Sequence, residues 1–270
     1  MPPTLDEESV MPAHTPAPTA PIWFDLASSD PDRAADFYTA LFGWTADEPA
    51  AEFGGYRNFL RDGEPIAGLG PAMDGSPSEV WTVYFRSDDL SSTVTAAQSA
   101  GGTVVAPPMP IGDLGSMAVL ADPAGGAFGL WQPGLHTGFA TMGEHGAPYW
   151  FDEMSMDYAA SKSFYEKVFG WSLAEIGEGT EGGPNQYSQV LINGQAQAGI
   201  MAAAGMLGDD HPSFWQVYIT VDDVAATLDR VIELGGTVLM PADDTPFGVL
   251  ASFKDPLGAA ICIATPPADM

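Results

Sequence analysis

The chain has 270 residues, 46% of them apolar, enough to bury two ordinary cores. Eight basic against 36 acidic side chains leave a net charge of −28. That balance excludes a nucleic-acid partner and an anionic membrane surface, since both need clustered Lys and Arg. The single cysteine, Cys262, excludes an internal disulfide and a cysteine-based zinc cluster.

Residues 1–20 contain five prolines and many small or acidic residues, which predicts a disordered tail. No Lys or Arg precedes Arg33, so a secretory signal is not expected. No segment approaches the roughly 20 apolar residues that span a bilayer, and a cytoplasmic protein is the default expectation. The acidic balance fits solubility or a salty habitat, with attraction of a cationic ligand as the alternative.

Beyond the tail, WFDLA (23–27) reads as a strand, and Ser28–Asp30 offer caps to an amphipathic helix over 31–41 that Gly43 ends. YRNFLRDGEPIAGL (56–69) is two strands around the turn dipeptide Asp62-Gly63. WTVYFRS (81–87) is a strand, Leu90–Ser99 a helix, and 117–132 a hairpin turning at Asp122–Gly126. A linker rich in Gly and polar residues, 133–147, closes this unit.

The unit then recurs. IWFDLASSDPDRAADFYTALFGW (22–44) faces YWFDEMSMDYAASKSFYEKVFGW (149–171). Trp23, Asp25, Tyr38 and Trp44 meet Trp150, Asp152, Tyr165 and Trp171 at one offset, and Tyr56, Gly63 and Trp81 meet Tyr187, Gly194 and Trp215 further on. Asp122-Pro123 meets Asp255-Pro256. A period this long makes each copy a domain. The domains are expected at 21–132 and 148–266, with elements of the second at 150–154, 158–169, 186–200, 215–221, 223–234 and 249–264.

In its motifs W-F-D-L, F-Y…F-G-W and D-P-x-G the chain resembles the vicinal oxygen chelate superfamily of glyoxalases, extradiol dioxygenases and bleomycin-resistance proteins, in its hydroxylase-like branch. The resemblance covers nearly all of residues 21–265. It implies an α+β fold of two tandem glyoxalase-like domains. Each would pair two β-α-β-β-β modules in a curved sheet around a cleft.

The resemblance also implies a divalent metal, held by His or Gln on first strands and Glu on last strands. Carried over on the motif landmarks, the first-strand positions fall on Trp23, Thr82, Trp150 and Gln216. The last-strand positions fall near Gly68, Gly129, Gly199 and Cys262. Only Gln216 and Cys262 among these bind metals, and weakly for a hard cation. His14, His136, His145 and His211 read as solvated loop or tail residues. No metal and no cofactor are therefore expected.

Asp25 and Asp152 stand out, because a carboxylate two residues after a Trp shares its strand face, and by the resemblance that face lines the cleft. Each is a candidate general base or acceptor for a ligand hydroxyl or amine. The alternative is a structural carboxylate that caps backbone or pairs with Arg57 or Arg86. Trp23, Tyr84, Trp131, Trp150, Tyr187 and Tyr218 on strands are either core or walls for a planar ligand, while Trp44 and Trp171 read as packing. Asn58, Thr82, Gln189 and Gln216 are the polar candidates beside them. GEGTEGG (177–183) is expected to be a flexible loop or lid, since its two glutamates repel phosphate. The chain carries no P-loop, dinucleotide fingerprint, G-x-S-x-G or H-E-x-x-H motif.

Three functions remain open. One is a metal-free protein that binds or sequesters a small aromatic or polycyclic natural product, in antibiotic biosynthesis or resistance. The second is a metal-independent lyase, isomerase, cyclase or hydroxylase-type enzyme using Asp25 or Asp152. The third is a metal-dependent glyoxalase or dioxygenase. The internal duplication predicts a monomer with an internal pseudo-dimer.

Overall fold

Four aspartates start the four α-helices found among the described residues. The computed structural model describes residues 15–176, 186–208 and 211–267. The Asp30, Asp89, Asp157 and Asp223 carboxylates each accept a backbone N–H from the first turn of the adjoining helix. Each helix succeeds the first strand of a β-α-β-β-β module, so the capping Asp marks the modules.

The first copy runs β1 (Pro21–Ser28), α1 (Pro31–Phe42), β2 (Thr45–Ala46), β3 (Arg57–Arg61), β4 (Glu64–Pro71), then β5 (Val80–Arg86), α2 (Leu90–Ser99), β6 (Thr103–Ile111), β7 (Gly115–Ala121) and β8 (Ala127–Pro133). The second runs β9 (Pro148–Ser155), α3 (Tyr158–Phe169), β10 (Ser172–Ile176), β11 (Tyr187–Ile192), β12 (Gln195–Ala202), then β13 (Phe214–Thr220), α4 (Val224–Glu233), β14 (Thr237–Thr245), β15 (Gly248–Lys254) and β16 (Ala260–Thr265). The expected strands and helices are present, and the turns at Asp62-Gly63 and Asn193-Gly194 have the positive φ values such hairpins require.

In each copy the two modules join edge to edge through their first strands. The strand orders are β2-β3-β4-β1-β5-β8-β7-β6 and β10-β11-β12-β9-β13-β16-β15-β14. Antiparallel β1–β5 and β9–β13 form the centres, and β1–β4 and β5–β8 run parallel. Among the described residues a single pairing, Ala127 with Phe214, joins the two sheets.

One face of each sheet packs on the helices, and that core is shared between the copies. Phe85 of the first copy lies against Phe169, Trp171 and Trp215 of the second, and Phe37 meets Phe253. Tyr38 on α1 donates to Asp255, and Tyr165 on α3 donates to Asp122. Trp81 and Trp215 donate to those same hydroxyls at 3.2 and 2.7 Å. The two D-P-x-G turns therefore anchor the opposite copy's helix. Trp44 and Trp171 are buried packing residues in this core.

Three features differ from the sequence expectation. Residues 15–20 are not tail: Thr19 and Pro16 bond to Arg86, Trp171 donates to Thr19, and Ala20 is buried. Residues 1–14 and the loop 177–183 lie outside the described residues. Strands β6 and β14 are masked in the sequence by Pro107, Pro108, Pro110 and Pro241. Both are edge strands, where a missing N–H is tolerated. The linker is docked too, with Phe139 stacked on Phe151.

Candidate functional site

The face of each sheet away from the helices carries the candidate residues. In the first copy the register aligns Asn58, Gly68, Asp25 and Thr82 across four strands, and Trp23, Tyr84 and Gly129 in the next row. The second copy aligns Gln189, Gly199, Asp152 and Gln216, then Trp150, Tyr218 and Cys262. Nearly every candidate thus falls in one of two matching clusters. Trp131 lies beside the first, next to Arg86 in the β5–β8 register.

Each carboxylate is held by tyrosines. Tyr56 donates to Asp25 at 3.3 Å and receives the Trp23 indole N–H at 2.8 Å. In the second cluster Tyr187 donates to Asp152 at 2.8 Å, and Trp150 donates to both Asp152 and the Tyr187 hydroxyl. Gln216 donates to Tyr218, and the Cys262 thiol points at Gln216 Oε1. The arginines take no part in this: Arg57 pairs with Asp32 and Arg86 with Asp88, so the pairing alternative for Asp25 fails.

These surroundings move the protonation of both carboxyls. Desolvation pushes Asp25 from 3.8 to about 7, against the pull of the Tyr84 and Tyr56 hydroxyls. Desolvation likewise raises Asp152 to about 6, against Tyr187, Trp150 and Tyr218. Burial and the neighbouring Asp carboxylates push Tyr56, Tyr84, Tyr187 and Tyr218 up, so all four phenols keep their protons. The Cys262 thiol is also pushed up by burial and stays protonated.

Tyr56 is a site residue that the sequence reading did not single out, although the repeat matches it with Tyr187. Its role is tied to Gly68, where a Cβ would collide with the Tyr56 hydroxyl, just as one at Gly199 would collide with that of Tyr187. His136 is a correction. Far from being solvated, it sits edge-on to Trp23 at 4.4 Å and beside Trp131, and burial lowers its pKa to about 4. His145 pairs with Asp222, His211 is exposed, and His14 lies outside the described residues. Asn58 bonds to Asp47. Gln189 is half-buried beside Gly199.

A repeated pair of βαβββ modules carrying such clusters on one sheet face has a known counterpart. A model of the Glyoxalase-like domain matches residues 22–131, and a model of the Glyoxalase/Bleomycin resistance protein/Dioxygenase superfamily matches residues 154–263. The anthracycline biosynthesis protein DnrV of Streptomyces peucetius is 36% identical, over 92% of this chain and 93% of its own length. The chain belongs to the glyoxalase/bleomycin resistance/dioxygenase superfamily. It is similar also to the putative glyoxylase CFP32 of Mycobacterium tuberculosis, 35% identical over 91% of this chain and 94% of the relative. The Mn(II)-bound glyoxalase of Novosphingobium aromaticivorans shares the fold, with a TM-score of 0.61 and 15% identity, over 93% of this chain and 82% of that one.

The fold therefore implies a metal, and the residues do not fit one. The positions at which the motif resemblance places donors hold Trp23, Thr82, Gly68 and Gly129 in one cluster and Trp150, Gln216, Gly199 and Cys262 in the other. Tyrosine rings fill the space over Gly68, Gly129 and Gly199. No group of three His, Cys, Asp or Glu side chains converges among the described residues. A tryptophan, a threonine and two glycines offer a hard cation almost nothing to bind. Among the described residues no helix is long and apolar enough to cross a membrane.

Proposed function

We propose that this chain is a metal-independent binding protein for planar, oxygen-bearing aromatic natural products, acting in antibiotic biosynthesis or resistance. The observation that carries this is the Trp–Asp–Tyr–Tyr cluster, built twice on the sheet face away from the helices. Trp23 and Trp150 offer flat apolar contact, and the carboxyl with its phenols offers both donors and acceptors to ligand hydroxyls or carbonyls. The similarity to an anthracycline biosynthesis protein supports the ligand class.

Titration with quinizarin, a planar hydroxyanthraquinone, in the presence of a chelator tests the proposal. Quenching of tryptophan fluorescence with two sites per chain is the expected result. Binding that appears only when Mn or Fe is added would overturn it in favour of a metalloenzyme. The fused cores also support a monomer, which light scattering checks: a stable mass of twice the 28.3 kDa chain would contradict it.

A further inference from the structure

The two clusters are not equivalent. Asp152 is 7% exposed and takes two short bonds, from Tyr187 and Trp150. Asp25 is half-buried, its bond from Tyr56 is long at 3.3 Å, and Trp23 gives its N–H to Tyr56 alone. An imidazole, that of His136, packs on Trp23. The first cluster therefore holds a partly exposed carboxylate with two phenols, Tyr56 and Tyr84, as its donors and an aromatic wall beside it, without a metal donor set.

We infer that the first cleft is a metal-independent proton-transfer site for an enolisable ketone on a fused-ring ligand, with Asp25 as base and the Tyr56 and Tyr84 hydroxyls as donors to the ketone oxygen. This rests on the binding function proposed above and adds a reaction to one of its clefts. Asp25 takes a proton from the carbon beside the ketone. That C–H bond breaks and an O–H bond forms on Asp25. The C–H electron pair becomes a carbon–carbon π bond, and the carbonyl π pair moves onto oxygen.

The negative charge has then left Asp25 for the ligand oxygen. Tyr56 and Tyr84, drawn to the carboxylate before the step, turn to the enolate oxygen after it, because a phenol donates most strongly to an ionised acceptor. Swapping the Asp25 O–H proton with solvent and then protonating the same carbon gives isotope exchange, and protonating a conjugated carbon gives isomerisation. No oxidant, reductant or cofactor enters the balance. A carboxyl pushed to about 7 suits a base at neutral pH. The titratable groups facing it are Tyr56, Tyr84 and, across Trp23, His136. The phenols keep their protons and His136 is neutral above about 4, so one inflection is expected near pH 7.

The test is deuterium incorporation into β-tetralone in deuterium oxide with chelator, followed by NMR, beside quinizarin binding on the same samples. Wild type should exceed the buffer rate at least tenfold. Asp25→Asn should fall to the buffer rate, Tyr84→Phe should lose about tenfold, and both should keep the wild-type circular dichroism. Tyr56→Phe gives a second route should Asp25→Asn fail to fold, and it too should lose about tenfold. Exchange at the buffer rate with quinizarin still bound would overturn the inference and leave the binding function standing. Unchanged exchange in Asp25→Asn, or in Tyr56→Phe and Tyr84→Phe, would also overturn it. Failure of quinizarin to bind would instead reject the binding function.

Discussion

The two clefts show how one duplicated site diverges without losing its plan. Both keep Trp, Asp and two Tyr at matching positions, and both have a glycine whose missing side chain leaves room for a tyrosine hydroxyl. They differ in what engages the carboxylate. The second cleft adds Gln216 and Cys262 beside Tyr218, and its indole bonds straight to Asp152. In the first, Thr82 and Gly129 stand in those places, and the linker brings in His136. A site made of hydrogen bonds thus has its readiness set by how many donors its carboxylate already holds. On this account the second cleft is built to hold a ligand, the first to exchange a proton with one.

The largest effect that would break this comparison is on affinity. Asp25→Asn and Asp152→Asn should each weaken quinizarin binding at their own cleft. Losing a charge-assisted hydrogen bond removes about 1.5–3 kcal/mol, roughly 10- to 150-fold. Calorimetric titration should show one weakened site and one intact site in each variant. Two unchanged sites would return the carboxylates to a structural role.

Stability against pH gives the next effect. A carboxyl with a raised folded pKa contributes fully below its unfolded value and loses that contribution as pH rises. For Asp152 the loss runs from about 4 to about 6, and for Asp25 it extends to about 7. Asp152→Asn should therefore unfold at higher denaturant than wild type at pH 8, by about 2 kcal/mol, with the gain gone at pH 4. Asp25→Asn should change in the same direction.

A smaller effect concerns Glu153, which stands in the second copy where Leu26 stands in the first. It is fully buried beside Asp122 and accepts from Ser161, and among the described residues its other oxygen receives no donor. Burial and the Asp122 carboxylate push its pKa well above the usual carboxylate range. Glu153→Leu should raise stability at pH 8 by about 1 kcal/mol in chemical denaturation, since an apolar side chain of similar size often replaces a buried acid without loss. The smallest effect is at His136. His136→Ala removes the ring contacts to Trp23 and Trp131 and should weaken only the first cleft, by about 0.5–1 kcal/mol in the same titration.

Much of this architecture is legible in the chain. The repeated W-F-D, the Ser28–Asp30 caps and the hairpin dipeptides place most strands and helices, because each depends on local chemistry. Asp25 and Asp152 are visible for the same reason, as carboxylates out of place in aromatic strands. Tyr56 is not, because it reaches Asp25 from a loop across Gly68. A glycine repeated opposite a repeated tyrosine is the signal that points to it. His136 has no such signal, since the linker has no second copy to compare. The bonds from Tyr38 to Asp255 and from Tyr165 to Asp122 are hidden as well, because each landmark finds its partner in the other copy.

In the proposed function, the carboxyl–tyrosine cluster of each copy holds the ligand without a metal. The most direct measurement is quinizarin binding to the Asp25→Asn/Asp152→Asn double variant and to wild type, both stripped with chelator. Wild type should bind at both sites with unchanged affinity after stripping, and the double variant should lose at least about tenfold at each. Equal binding by the two proteins, or loss on stripping that added Mn or Fe restores, would contradict the account.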